Sequence, residues 1–309
     1  MKPTNCPNRV TWLMPVLNGS KVLHSSLDLL ANKMGSDHRL HVCDNKSIDN
    51  TLSILNSYVP AIIPGLAFSH EGSLGEVRDS LLRTVNSEYV ANMDADDYLI
   101  GEVWKKQLNF LDSNEQHVAV GSQYIAADAL TGEYVGYSSL PCEDSDIFWS
   151  FLGERNPVAN PNAFYRTQSA VDCGGFHSVV LEDFDFWMRI AQVGKLANLN
   201  IVGLQYNVTK GSYTSLHTAT GKTRQLQEAV LIKNSTLFNL TNSEMRSILY
   251  SRQSQIPLIA NFSKRQQKFE RQRLGESITA VMALQYRRRN LSFGDRVYLK
   301  FILAGLTGT

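Results

Sequence analysis

The stretch EYVANMDADDYL, residues 88–99, decides how the rest of the chain is read. Through Asp94 it is apolar and β-rich and predicts a strand. Asp94, Asp96 and Asp97 then fall within four positions at the end of that strand. Carboxylates crowded in this way raise one another's pKa unless a cation neutralises them. A single Asp suffices to cap a helix, and acids in a first turn favour the helix dipole whatever else they do. Three of them suit a hard divalent ion, Mn²⁺ or Mg²⁺, which keeps open positions for phosphate oxygens. Taken alone, these residues leave both the capping and the metal reading open.

The segments around it alternate in type. RVTWLMPV (9–16) and HRLHVCD (38–44) predict strands, and NGSKVLHSSLDLLANKM between them predicts a helix, with Val22, Leu23, Leu27 and Leu30 at helical spacing. SIDNTLSILNSYV (47–59) reads as a helix opened by Ser47, with Leu52, Leu55 and Val59 on one face. Ser73 and Glu76 have capping-box spacing for a helix through GEVRDSLLRTV, and GEVWKKQLNFLD predicts another after the acids. Strand–helix alternation implies an α/β fold with a mostly parallel sheet covered by helices. Such sheets bind ligands outside the carboxyl ends of their strands, where Asp44 and Asp94 both lie, so a nucleotide-type site is expected there.

From about residue 117 the pattern changes. HVAVGSQYIAAD and GEYVGYSSL read as strands of a meander or mixed extension, and LEDFDFWMRIAQVG (181–194) as an amphipathic helix with Phe184, Trp187, Met188 and Ala191 on one side. After ANLNIVGLQYNV the chain reads as almost wholly helical. The boundary expected near residue 215 divides it into 1–215 and a helical, basic extension, 216–309.

The 309 residues are 43% hydrophobic and 19% charged, ordinary for a globular protein able to bury a proper core. The net charge of +1 argues for no polyanionic partner such as nucleic acid, but it is unevenly spread. Between Lys264 and Lys300, ten Lys and Arg residues face only Glu270, Glu276 and Asp295. That tail reads either as an interfacial segment on anionic lipid or as a helical appendage packed on the core with its arginines in water. Cys6, Cys43, Cys142 and Cys173 form no CxxC, which leaves metal–thiolate and redox motifs without support. No apolar signal segment opens the chain, and no run of 18 apolar residues occurs. The expectation is a cytoplasmic protein, peripheral at the inner membrane face if the tail binds lipid.

DNKSIDNT, EGSLGEVRDSLL, NMDADDYL and GGFHSVVLEDFDFWMRI occur here in the order and spacing of family 2 glycosyltransferases, which this chain resembles over roughly residues 9–215. NPVANPNAFYR (156–166) is similar to the acceptor-side segment of bacterial members. The resemblance implies a GT-A fold and inverting transfer of a sugar from a nucleotide-diphosphate sugar, UDP-linked by default, to a glycan or lipid-linked acceptor. It implies nucleobase contacts from Asp44 and from the strand-end loop near Pro15 and Asn18, with Arg78 near the ribose and diphosphate. Asp94 and Asp96 become the D-x-D pair that touches ribose and holds Mn²⁺ or Mg²⁺, with Asp97 beside them. Asp183 becomes the general base and Glu182 its companion.

Each role has a plainer counterpart. Glu182, Asp183 and Asp185 open a helix, where acids are favourable in any case. Arg78 sits on a helix that has a solvated face, Trp187 and Trp149 suit a core or cleft wall, and Cys43 reads as a small buried hydrophobe. The chain also departs from the family pattern. Asn45 and Lys46 follow Asp44 where many relatives have a second acid, HEGSLG lacks the usual Asn, and Lys210 stands where many have His or Arg. Lys210 can still meet a phosphate as a point charge, although a His metal ligand is absent there. Two other functions compete: a sugar-1-phosphate nucleotidyltransferase, whose G-x-G-T-R signature is missing from MPVLNGSKVL, and a non-catalytic scaffold on the same fold.

Overall fold

The computed structural model describes residues 8–152, 156–209 and 222–238. Lys210, Cys6, the side chain of Trp149 and the basic tail lie outside the described residues. Among the described residues nine strands form one sheet in the order β3-β2-β1-β4-β8-β6-β9-β5, with β7 paired to β6. They are β1 Val10–Val16, β2 His38–Asp44, β3 Gly65–Ser69, β4 Tyr89–Asn92, β5 Tyr98–Leu99, β6 His117–Asp128, β7 Tyr134–Tyr137, β8 Phe164–Arg166 and β9 Lys195–Val208. β3, β2, β1 and β4 run parallel, as the alternating sequence predicts. The other half is the mixed extension: β8 is antiparallel to β4 and β6, β5 to β9 and β7 to β6, while β6 and β9 are parallel.

Period-2 alternation along the strands builds two cores, one on each sheet face. On β1, Trp12, Met14 and Val16 join α1 (Leu23–Lys33), α2 (Thr51–Tyr58) and α4 (Val103–Ser113). Leu13 of β1, Cys43 of β2 and Val90 of β4 point the other way, into the cluster of α3 (Leu74–Leu82), α5 (Asp144–Leu152), α6 (Thr167–Asp172), α7 (Glu182–Ile190) and α8 (Lys222–Lys233). Cys43 is fully buried there, and burial pushes its thiol pKa up. Val230, Leu231 and Phe238, from α8 and the short 3₁₀ turn Ser235–Phe238, belong to the same cluster, so this part of the extension is packed on the core.

Two expectations need correction, and one strand was not foreseen. α2 begins at Thr51, because Ser47 is engaged elsewhere: its Oγ accepts from Asn18 N at 2.8 Å. Asp49 accordingly precedes the helix and accepts from Thr51 N. α7 is shorter than 181–194 and leaves only Asp183 part-exposed, since Phe184, Asp185, Phe186, Trp187, Met188 and Ile190 are all buried. β3 was not apparent in sequence, being a partly exposed edge strand that opens on a glycine. Gly65 is required there, because a Cβ would lie 1.7 Å from Leu40 O of the neighbouring strand.

Candidate active site

The ends of β1 and β2 carry two loops that tie one another together. Asn18 adopts φ 51° and uses its side-chain oxygen to accept from Ile48 N at 3.0 Å, while Gly19 N donates to Thr51 Oγ1 at 2.8 Å. Asp44, the last residue of β2, is buried; its Oδ1 accepts from Ser47 N at 3.2 Å and its Oδ2 lies 3.5 Å from Ser69 Oγ. Asn45, one of the departures from the family pattern, exchanges two hydrogen bonds with the backbone of Gly72, at 3.0 and 3.1 Å, and so braces this loop against the segment before α3. Pro15 is not in the loop. It lies buried within β1, paired with Cys43 of β2 beyond the last β4 partner of β1, Leu13, where a missing N–H breaks no ladder bond on that side.

The three aspartates follow β4 and take different surroundings. Asp97 is fully buried and turned toward β9, where Oδ1 accepts from Asn207 N at 2.9 Å and Oδ2 has no hydrogen-bond partner. Asn207 also donates to Asp96 O at 2.5 Å, fixing the turn. Burial and then the charge of Asp94 raise the pKa of both Asp96 and Asp97, with Asp96 adding to the effect on Asp97. Among the described residues no ion pair reaches Asp96 or Asp97, and no three His, Cys, Asp or Glu side chains are disposed as a ready metal cage. The orphan oxygen of Asp97 and the raised pKa values of Asp96 and Asp97 mark a local deficit of positive charge, and the donors are all hard oxygens. Asp94 and Asp96 therefore fit a divalent ion that draws its remaining ligands from water and a diphosphate.

Arg78 gathers the motifs into one site. It is 4% exposed, on α3, and is not the solvated surface residue its helix allowed. Nη2 donates to Asp94 Oδ1 at 2.9 Å and Nε to Glu182 Oε1 at 3.1 Å. With its amide oxygen facing the guanidinium, Asn160 accepts from Nη1 and Nη2 at 2.9 and 3.1 Å. Burial alone would lower the pKa of Arg78; Asp94 and Glu182 outweigh it and hold the charge. α3 can approach this closely because it begins with a full capping box and a glycine. Ser73 Oγ accepts from Glu76 N, Glu76 accepts from Ser73 N at 2.7 Å, and a Cβ on Gly75 would lie 1.9 Å from His177 O.

Asp183 lies in the first turn of α7, behind Leu181, which is held in the left-handed region at φ 59°. For a branched residue that backbone is strained, and such strain clusters at functional sites. Asp183 Oδ2 accepts from Asn156 Nδ2 and Oδ1 from Phe184 N, both at 2.8 Å. Burial, and then the adjacent Glu182, lift its pKa to about 7 against the pull of Arg78. Asp185, on the same turn, is held below the usual carboxylate range despite burial, because Asn234 and Arg189 bind it. Two acids two residues apart on α7 thus have opposite protonation tendencies, and the one near neutrality sits beside Arg78.

Residues 11–176 match the model of glycosyl transferase family 2. The chain belongs to this family. A similar glycosyltransferase is the amylovoran biosynthesis glycosyltransferase AmsE of Erwinia amylovora, 29% identical over 128 residues, which is 41% of this chain and 47% of that protein. The UDP-Glc:alpha-D-GlcNAc-diphosphoundecaprenol beta-1,3-glucosyltransferase WfaP of Escherichia coli is 23% identical over 67% of this chain and 80% of its own length. Among solved structures, residues 1–349 of S. aureus TarS in complex with UDP-GlcNAc share the fold with a TM-score of 0.60 at 18% identity, covering 83% of this chain and 74% of that one. A mannosyltransferase of Pyrobaculum calidifontis in complex with GDP-Man and Mn²⁺ superposes with a TM-score of 0.55 at 16% identity over 98% and 88% of the two chains. The GT-A fold expected from the sequence is the observed one.

Of the expected site residues, the structure brings Arg78, Asp94, Glu182 and Asp183 together and keeps Asp44 at the end of β2 and Asn18 on the adjoining loop. Asn156, Asn160 and Asn207 were missed. Single asparagines in loops carry no periodic signal, although two of them lie in the NPVANPNAFYR segment that the family resemblance singled out.

Proposed function

We propose that this chain is an inverting glycosyltransferase of surface-polysaccharide assembly. It moves a sugar from a UDP-linked donor to a hydroxyl of a glycan or lipid-linked acceptor. The observation that carries the reading is Asp183, a carboxylate near neutral pKa placed beside the Arg78–Asp94–Glu182 network. A sugar hydroxyl is a poor nucleophile, and a base works best when its pKa lies near the operating pH. Asp183 takes the acceptor proton as the hydroxyl attacks the anomeric carbon opposite the leaving group. Arg78 pairs with both Asp94 and Glu182 and keeps them aimed. Asp44, flanked by the Asn18 loop, accepts from the base, and Asp94 and Asp96 would hold Mn²⁺ or Mg²⁺. When bound, that ion supplies neutralisation of the departing diphosphate. The names of WfaP and of the TarS complex support UDP as the nucleotide and a diphospholipid-linked sugar as acceptor class.

The transferase domain ends near residue 215 in this reading, and the basic region 264–300 holds the protein peripherally at an anionic membrane face where such acceptors are found. Co-sedimentation of the full chain with anionic but not neutral vesicles tests that part. The function is tested by a thermal-shift panel of UDP, GDP, CDP and dTDP with and without Mn²⁺, since a ligand of the folded state alone raises the midpoint. The expected result is a Mn²⁺-dependent shift for UDP, lost in Asp96→Ala and kept in Asp183→Asn. No shift with any nucleotide would put the non-catalytic scaffold first.

A further inference from the structure

Asn156 stands just before β8, far from α7 in sequence, yet its amide reaches the carboxylate assigned above as the base. The orientation of that amide is fixed from its other end, because Asn156 Oδ1 accepts from Val158 N at 3.3 Å, which turns Nδ2 to Asp183 Oδ2 at 2.8 Å. The segment itself is anchored: Val158 is buried in the core cluster, and Asn198 Nδ2 donates to Pro157 O at 2.8 Å. Four residues on, Asn160 accepts from Arg78. One short stretch thereby touches both halves of the charge network, the guanidinium through an oxygen and the carboxylate through an N–H.

We propose that Asn156 is a positioning residue for the transfer reaction, holding Asp183 in the one rotamer that aims a free lone pair at the acceptor hydroxyl. This rests on the reading of Asp183 as the base. Each carboxylate oxygen has one fixed donor, Phe184 N on Oδ1 and Asn156 Nδ2 on Oδ2, so rotation about the Cβ–Cγ bond breaks both bonds at once. A second lone pair on Oδ2 is left for the incoming proton. The choice of a neutral donor also matters: an ammonium or guanidinium here would favour the charged carboxylate and weaken it as a base. Glu182, Arg78 and Asp94 are the charged groups facing Asp183, and Asn156 adds orientation to that set without adding charge.

The test is a double-mutant cycle on the full chain, with UDP-glucose, Mn²⁺ and a synthetic GlcNAc-α-diphosphoalkyl acceptor as probes. Asn156→Ala is expected to lower kcat on the order of 10- to 100-fold, the scale set by misplacing a reacting group, with the KM for UDP-glucose unchanged. In an Asp183→Asn background the same change is expected to cost less than about twofold, because residues that act as a unit are not additive. Asn156→Asp keeps the shape and removes the donor, so it should lose at least as much as the alanine variant. Equal losses in both backgrounds, a raised donor KM, or full activity in Asn156→Asp would overturn the proposal. A fully active Asp183→Asn would instead remove the base assignment itself, and the two failures are thereby told apart.

Discussion

Replacing Asp183 by Asn should make the protein more stable as well as inactive, and the gain should depend on pH. The folded chain keeps a proton on Asp183 up to about pH 7, whereas an ordinary aspartate releases it near 3.8. Between those values the folded state binds more protons than the unfolded one, so this group lowers stability as pH rises. At about 1.36 kcal/mol per unit, the cost is small at pH 4 and grows to about 4 kcal/mol at pH 8. The neutral, isosteric asparagine removes it and can still accept from one of the two donors. For a domain of this size ~1 kcal/mol corresponds to roughly 2–4 °C, so a midpoint rise on the order of 10 °C is expected at pH 8 and very little at pH 4. Thermal unfolding of both proteins, followed by circular dichroism across that range, measures it. A gain that is independent of pH, or a loss at pH 8, would refute the argument that burial beside Glu182 raises this carboxylate.

The same shift predicts that kcat falls about tenfold per unit as pH drops below 7, read from the acid limb of the rate profile. Arg78→Met should lower stability by about 3 kcal/mol, because it leaves the buried Glu182 and the part-exposed Asp94 without their shared cation. Urea unfolding measures this, and Arg78→Lys should recover only part, since one ammonium cannot reproduce the planar fork. His38 is buried, accepts from Trp12 Nε1 at 3.0 Å, and has its pKa lowered by burial from 6.5 to about 4. Its neutral form therefore stabilises the fold above pH 6.5, and about 3 kcal/mol of that is lost as pH falls from 6.5 towards 4. His38→Gln should remove this slope in a wild-type-minus-variant comparison of unfolding free energies.

The parallel half of the sheet was legible because its strands and helices differ in period and because β-to-α turns carry capping residues. Ser73 with Glu76 announced α3, and the acids after β4 announced the crevice. What was less legible follows from the same physics. β3 and the three-residue β8 are too short for alternation to register, and their pairing depends on strands far away in sequence. α7 looked amphipathic because Asp185 and Arg189 are charged, yet both are buried and paired to each other, with Asn234 also donating to Asp185. Periodicity reads charge as solvent exposure and cannot see a partner supplied by another helix.

The amino-acid sequence by itself determined the α/β class, the family and the identity of the acids, since each is written in local period or in short motifs of fixed order. Tertiary structure alone decided what those acids do. Asp97 turned to β9, Asp94 and Glu182 met on one buried guanidinium, and Asp183 rose towards neutrality while Asp185 fell. Carboxylates are chemically alike along the chain. Their pKa values and partners come from desolvation and from charges brought close by folding, and those quantities exist only in three dimensions.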